Sequence, residues 1–443
     1  MENENATVFE TKNFNSAGID IGAEKIFVSP DGKEVVNFGT YTADYYKCAE
    51  YLQEKGCTSV AMEATGVYWI ALYSMLESCG LKVCLVNPKE TKQIKGRKTD
   101  VMDCQHIQKL YAAGLLRESY VPKTQYMEIR QLVRARQSVI EMGSSYILRM
   151  QKNLELMNIK LKQVISQIHG VSGIKMIKAI LKGERNKEYL LSLCDSRIKD
   201  NKSEEILKAL EGNYNETYLF LLQENLKMWE LHEEEICVID EKIEELLKDL
   251  IKDKNPIEVT GKPKRIRHHK PEIKDFHNLM VQIYGVDMSS VSGFSDYTLL
   301  RLIGETGINI KEHFPTEKQF VSWSGLSPRH HQSGRMRKQV KGVSCNQTGQ
   351  IFKEIAQGLI NSKNIAIGAF IRRIKMKRDS GIAIKAGARK LASAYYNCLT
   401  KGIAYVEQGN EKYKEQLRQR EIKTMKRLAL KYNVEFATNN VIT

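Results

Sequence analysis

Between residues 16 and 41 the chain alternates apolar with polar or small residues, SAGIDIGAEKIFVSPDGKEVVNFGTY, which is the period of half-buried β-strands. The SPDG inside it carries the Pro and Gly whose backbone angles suit a turn, so a three-strand meander is expected. ADYYKCAEYLQEKG then reads as a helix closed by Gly56, TSVAMEAT as a buried strand, VYWIALYSMLESCG as a helix closed by Gly80, and LKVCLVNP as another strand. The predicted order is β-β-β-α-β-α-β, followed by a helix that opens in GRKTDVMDCQHIQKL. On that helix positions 100, 103, 107, 110 and 114 share one face, so Asp100 and Asp103 continue a stripe that otherwise looks built for burial. Buried carboxylates are costly unless something cationic compensates them.

From Gln125 the pattern turns helical, with Leu132, Leu154, Met157 and Leu161 among its apolar positions and a break at HGVSG (169–173) that suggests a helical hairpin. Leu222, Asn225, Trp229, His232, Ile236, Ile239, Ile243, Leu246 and Leu250 follow the alternating three- and four-residue spacing of a coiled-coil seam. Two accounts of it stand, a helix packed within its own chain and a dimerisation arm. Residues 252–275, with three Pro, many charges and few apolar positions, read as an exposed basic linker. The expected fold class is therefore α/β followed by mainly α. Its parts are an α/β domain over 14–124, a long helical and coiled-coil region over 125–251, the linker 252–275, a mainly helical C-terminal domain over 276–402 and a charged helical tail over 403–443.

Charge adds a partner. Lys and Arg number 68 against 53 Asp and Glu, a formal charge of +15 that suggests a polyanion without separating DNA, RNA and anionic lipid. Between Arg329 and Lys390 there are 15 basic and 2 acidic residues, so most of the surplus lies in one segment. The nine cysteines are odd in number and show no CxxC pair, as in reduced cytosolic proteins. The start, MENENATVFETKN, lacks the basic and apolar regions of a signal peptide, and no apolar run reaches membrane-spanning length, so a cytoplasmic protein with no membrane partner is expected.

Four acids could hold Mg²⁺, which prefers oxygen ligands and in two-ion sites clamps both oxygens of a phosphodiester displacement. Asp20 sits within an otherwise apolar strand, Glu63 ends a strand, and Asp100 and Asp103 open a helix. Each has a plain structural account: Asp100 and Asp103 favour a helix dipole, Asp20 marks a strand end or bulge, and Glu63 faces solvent. The conjunction of all of them in apolar contexts is what favours a metal site.

AGIDIGAEKIFVS, MEATGVYW and GRKTDVMDCQHIQKLYAAGLLRESYVP resemble, in order and spacing, the DEDD transposases of insertion-sequence family 110, and the resemblance runs over about residues 16–402. It implies a RuvC-like version of the ribonuclease H fold at the N-terminus, with Asp20, Glu63, Asp100 and Asp103 as the metal-binding acids and two Mg²⁺ per site. Arg97 and Lys98 would then lie beside the scissile phosphate, although as residues they could equally be salt-bridge partners. The resemblance also implies a prokaryotic cytosol or nucleoid location, a homo-oligomer (dimer or tetramer) whose two catalytic parts meet across subunits, and a structured noncoding bridge RNA that pairs with donor and target DNA.

A serine followed by glycine in a loop is ordinarily a turn. In that family a catalytic serine precedes a glycine shortly after Gly-Leu-x-Pro, matched here by Gly325-Leu326-Ser327-Pro328 and then Ser333. The resemblance thus implies Ser333 as the nucleophile, with Ser327 and Ser324 competing. Many members have two serines before the glycine and another glycine after it, where this chain has Gln332 and Arg335, and Asp287 stands where a second glycine is common after Gly285. Arg329, Arg335, Arg337 and Lys338 around Ser333 suit phosphate binding and the charge that develops on a serine nucleophile. His330 and His331 have no identifiable acid to orient an imidazole base. Lys264, Arg265 and Arg267, beside His268 and His269, and Arg372, Arg373, Lys375 and Arg389 in IRRIKMKRDSGIAIKAGARK, are further expected phosphate contacts. DNA strand cleavage and rejoining is the expected function. A metal-dependent junction nuclease and a non-catalytic nucleic-acid scaffold are the rivals.

Overall fold

The alternation of residues 16–39 becomes three antiparallel strands, β1 (Ser16–Ile21), β2 (Lys25–Ser29) and β3 (Val36–Gly39). Ser29 closes the β2–β3 turn: its Oγ accepts from the Gly32 amide and donates to the Glu34 carbonyl, while Asp31 accepts from the amides of Lys33 and Glu34. Gly32 takes φ +75°, a conformation open to glycine at little cost. Helix α1 (Thr42–Glu54) leads to β4 (Ser59–Glu63), and α2 (Trp69–Ser78) leads to β5 (Lys82–Val86). The sheet order is β3-β2-β1-β4-β5, with β4 parallel to β1 and β5 parallel to β4. Short α3 (Pro88–Thr91) follows, and α4 (Asp100–Ala112) is the helix carrying the two aspartates. This computed structural model describes residues 11–91, 100–259, 261–328, 330–333, 336–339, 344–362 and 365–432. The chain divides into two units, 1–124 and 125–443.

Strand alternation splits the sheet's side chains between two layers. Ile19, Val28, Val60, Met62 and Leu85 pack with Leu52 of α1 and Leu72 and Leu76 of α2. On the other face Ala61, Cys84 and Val86 meet Ile107 and Tyr111 of α4. There α4 presses on β1 at Gly18, where an added β-carbon would stand 2.4 Å from both the Cys104 carbonyl oxygen and the Gln108 amide nitrogen. Gln108 locks the register by donating from Nε2 to the Ser16 carbonyl at 3.0 Å.

The second unit opens with α5 (Thr124–Leu156), then α6 (Leu161–Val164), α7 (Val171–Leu181), α8 (Lys187–Ser192), α9 (Ser196–Ala209) and the 34-residue α10 (Glu216–Asp249). Met150 and Leu154 of α5 share one core with Met176, Ile180, Leu190, Ile206, Leu222 and Leu226. The buried stripe of α10 differs from the expected seam: it is Leu222, Leu226, Ile236, Asp240, Ile243 and Leu247, with Ile239 and Leu246 only half-buried. The shift has a physical cause. Asp240 is buried because Arg136 of α5, also fully buried, meets it with Nε–Oδ1 at 2.5 Å and Nη2–Oδ2 at 3.1 Å. Gly143 of α5 faces His232 and Trp229, and the His232 ring packs 5.2 Å from Tyr146, so this stripe covers a helix of its own chain.

The segment 252–275 has no helix or strand among its described residues, but it is not a free linker. Lys254 donates to the Ile283 carbonyl, the backbone of Ile257 exchanges two hydrogen bonds with the Gln282 amide, and the Gly261 amide donates to Asp287. At its end Pro271 and Ile273 are buried, and the amides of Glu272 and Lys274 donate to Asp240 and Glu244 of α10. Composition suggests a tether because these anchors are backbone groups and single long side chains, which no apolar pattern records.

Next come α11 (Phe276–Tyr284), a 3₁₀ turn (Met288–Ser290), α12 (Asp296–Thr306), α13 (Ile310–His313) and α14 (Glu317–Trp323). Strands β6 (His330–Ser333) and β7 (Met336–Gln339) pair antiparallel where a loop was expected, Ser333 opposite Met336. Helices α15 (Gln347–Leu359), α16 (Ala366–Lys375), α17 (Ser380–Lys401) and α18 (Ile403–Tyr432) complete the unit. Phe294, Phe320, Phe352 and Tyr395 form its aromatic centre, and the Tyr395 hydroxyl is satisfied by Thr306 at 2.9 Å and Tyr284 at 3.2 Å. No described helix is long and apolar enough to cross a membrane.

Two stability measurements follow from these contacts. Gly18→Ala should cost about 3 kcal/mol in equilibrium urea unfolding, since backbone atoms of α4 cannot yield as a flexible side chain would, whereas Gly358→Ala, with no atom within 4 Å of the added carbon, should be neutral or slightly stabilising. Arg136→Ala should cost about 3–5 kcal/mol by stranding a buried carboxylate, and the double replacement Arg136→Met with Asp240→Leu should recover most of that loss.

Candidate functional site

The α4 face of the sheet is where the acids gather. Asp20 follows Gly18 by two residues on β1 and Glu63 follows Ala61 by two on β4, so both share the face that meets α4. The last matched pair of these parallel strands is Ile19 with Met62, and Asp20 and Glu63 are the next residue on each. Asp100 and Asp103 stand in the first turn of α4, where negative charge also suits the helix dipole. The helix is held against Gly18 at Cys104 and Gln108, just beyond Asp103. A glycine on the strand thus lets the aspartates of the helix approach the aspartate of the strand.

The electrostatics register that approach. The Asp20 carboxyl is pushed up to about 6, chiefly by burial and then by the charges of Asp103, Asp100 and Glu63, against a lowering hydrogen bond from the Ile21 backbone. Burial also pushes the neighbouring Cys104 thiol to about 11, with Asp20 adding to it. His106, one turn beyond Asp103, is held below the usual imidazole range by burial, and its Nε2 is buried with no hydrogen-bond partner. Glu63 is oriented by Thr91 of α3, whose hydroxyl lies 2.7 Å from Oε2 and 3.1 Å from the Pro88 carbonyl. Sequence reasoning missed Thr91, for which the only signal is its place at the end of the short helix after β5. Among the described residues no three His, Cys, Asp or Glu side chains stand close enough together to hold a metal ion. The acids are drawn into mutual repulsion but not into a closed cage.

Other expected residues are placed unevenly. Arg97, Lys98, Arg329 and Arg335 lie outside the described residues. Ser333 falls in β6 and Arg337 and Lys338 in β7, where the backbone pairing is described. Ser324 is fully buried and donates from Oγ to the Phe320 carbonyl at 2.9 Å, which removes it as a competing nucleophile in this conformation, while Ser327 is half-buried. Lys264 turns inward: its Nζ donates to the Val291 carbonyl and burial lowers its pKa, so it fastens the 252–275 segment. Arg372 likewise donates to the carbonyls of Ile360 and Ser362 at the end of α15. Arg373 lies 5.6 Å over the Phe370 ring, which Lys390 also approaches at 4.8 Å. Arg265, Arg267, Lys375 and Arg389 are exposed.

Residues 17–159 match the model of the DEDD IS110 transposases, and residues 287–366 match that of the IS116/IS110/IS902 transposase family. No curated protein matches the chain. The first matched segment contains all four acids and the second contains Ser333.

The raised Asp20 has a measurable consequence in metal-free protein. Its folded pKa lies above the ordinary 3.8, so the ionised carboxyl costs stability at neutral pH, and that cost fades as pH falls through 6 toward 4. Asp20→Asn should therefore stabilise the protein at pH 7 by about 1 kcal/mol, a figure reduced for partial solvent screening. The advantage over the parent should shrink steadily in thermal melts taken at lower pH.

Proposed function

Because the chain belongs to the IS110 family of transposases, enzymes that cut and rejoin DNA, we propose that Asp20, Glu63, Asp100 and Asp103 form its metal-dependent phosphodiester site and that Ser333 is its nucleophile. The observation that carries this reading is the convergence of strand and helix carboxyls on Asp20. Support for a ribonuclease H-like, RuvC-type fold comes from the sheet order β3-β2-β1-β4-β5 with its antiparallel meander and two parallel joins.

The donor set suits a divalent ion. Carboxylate oxygens are the ligands magnesium prefers, and repulsion among them is what a cation would relieve. The same four acids would hold it, and when bound it supplies Lewis acidity to the phosphodiester oxygens. Glu63 presents one oxygen while Thr91 holds the other, and Asp20 anchors the buried end of the group. In the proposed reaction the Ser333 hydroxyl gives its proton to solvent and attacks phosphorus, forming a phosphoserine ester as the bond to the departing DNA oxygen breaks and that oxygen takes a proton from solvent to leave as a hydroxyl. A DNA hydroxyl later attacks that ester and releases the serine, so the strand is rejoined without hydrolysis. Arg337 and Lys338 on the strand paired with Ser333, together with Arg97, Lys98, Arg329 and Arg335, are assigned to the phosphates. A bridge RNA as guide and a homodimer or tetramer joining acids and serine across subunits belong to the same proposal.

Incubating the full chain with element-end DNA, guide RNA and Mg²⁺ and running the products on a denaturing gel tests the scheme. A covalent protein–DNA adduct should appear, vanish in Ser333→Ala and persist in Ser327→Ala, while Asp20→Asn and Asp103→Asn should each slow adduct formation by about a hundredfold or more. Metal-dependent cutting with no adduct in any variant would instead mean water is the nucleophile.

A further inference from the structure

We propose that the turn joining α16 to α17 is a DNA wedge, in which Met376 enters between stacked base pairs from the minor groove while Lys375, Lys377 and Arg378 hold the flanking phosphates. This rests on the reading that the chain works on DNA. Methionine normally fills apolar gaps in a core, yet Met376 is 81 % exposed at the start of this turn, and Ile382 on the first turn of α17 is 52 % exposed. Lys375, Lys377 and Arg378 are exposed around it. The only acid between residues 371 and 390 is Asp379, whose carboxylate caps α17 by accepting from the Gly381 amide at 2.7 Å. Farther along α17 come half-buried Lys385 and exposed Arg389.

The tip is tied down by hydrogen bonds on both sides. The amides of Lys377 and Arg378 both donate to the Ile374 carbonyl at 2.9 Å, and the Met376 amide donates to Arg372 at 3.0 Å. Arg372, drawn away from solvent, ties α16 to the end of α15 through two carbonyls. Gly387 of α17 leaves room for buried Ile371, so the two helices meet closely just behind the tip. An apolar side chain on a braced turn, ringed by cations, is the arrangement by which minor-groove proteins unstack a base step and kink the duplex. Duplex DNA suits it better than duplex RNA, because flexible pyrimidine–purine steps of DNA open at low cost.

The test uses the full chain and a short duplex DNA with a donor and an acceptor fluorophore at its ends and a fluorescent purine analogue at a central TA step. Wild type should shorten the end-to-end distance by a bend of about 20–90° and brighten the analogue. Met376→Ala should keep its melting temperature and bind within about threefold of wild type, since phosphate contacts dominate affinity, but lose the bend and the brightening; Met376→Leu should restore both. Lys377→Gln with Arg378→Gln should weaken binding and lower the salt slope by about two. A Met376→Ala protein that bends the duplex as wild type does would overturn the wedge, as would a wild type that binds and cuts DNA left straight, or one that binds duplex RNA equally well with the same loss in Met376→Ala. A full chain that neither binds nor cuts DNA would sink the transposase chemistry along with it.

Discussion

The missing side chain at Gly18 is the constraint on which the N-terminal unit turns. It lets a helix lie with its backbone against a strand, closer than any residue with a β-carbon permits. Because Asp20 is two residues farther along that strand, and Asp100 and Asp103 are at the near end of that helix, the same approach forces like charges together. Repulsion among carboxylates is usually avoided by folding, and here the core beneath α4, from Ala61 to Tyr111, is what sustains it. The raised Asp20 carboxyl is the signature of that repulsion.

The C-terminal unit is organised differently, around polar groups sealed inside helical packing. Arg136 and Asp240, 104 residues apart, face each other from within two long helices. The Glu272 amide completes the carboxylate's partners, and the Tyr297 ring lies 5.2 Å from the guanidinium, so four separate elements converge on one ion pair. Such a pair adds less to stability than an apolar contact of the same size. Its effect is on register: sliding either helix by a residue strands a charge.

The legible parts of the sequence were those governed by local period. Alternation located the meander, turn residues located its bends, and the order of strands and helices through β5 followed from composition and punctuation alone. That Asp100, Asp103 and Glu63 act on Asp20 was foreshadowed too, because acids in apolar settings break the pattern that surrounds them. What escaped were contacts fixed by distant partners. A seam template rejects a charged position, so it missed Asp240, which only Arg136 makes tolerable. Thr91 reaches Glu63 across 28 residues, and Lys264 and Arg372, cations in basic runs, were expected at phosphates yet bind carbonyls of their own fold. Composition counts charges but does not say which way they point.

The fastening of residues 252–275 bears on how force passes through the second unit. Hydrogen bonds run from this segment to α11 at one end and to α10 at the other, so it works as a brace in tension between them. The connection from α10 to α11 therefore runs through fixed hydrogen bonds at both ends. The long helix is accordingly anchored near its C-terminal end, at Asp240 and Glu244, rather than only through its last residue.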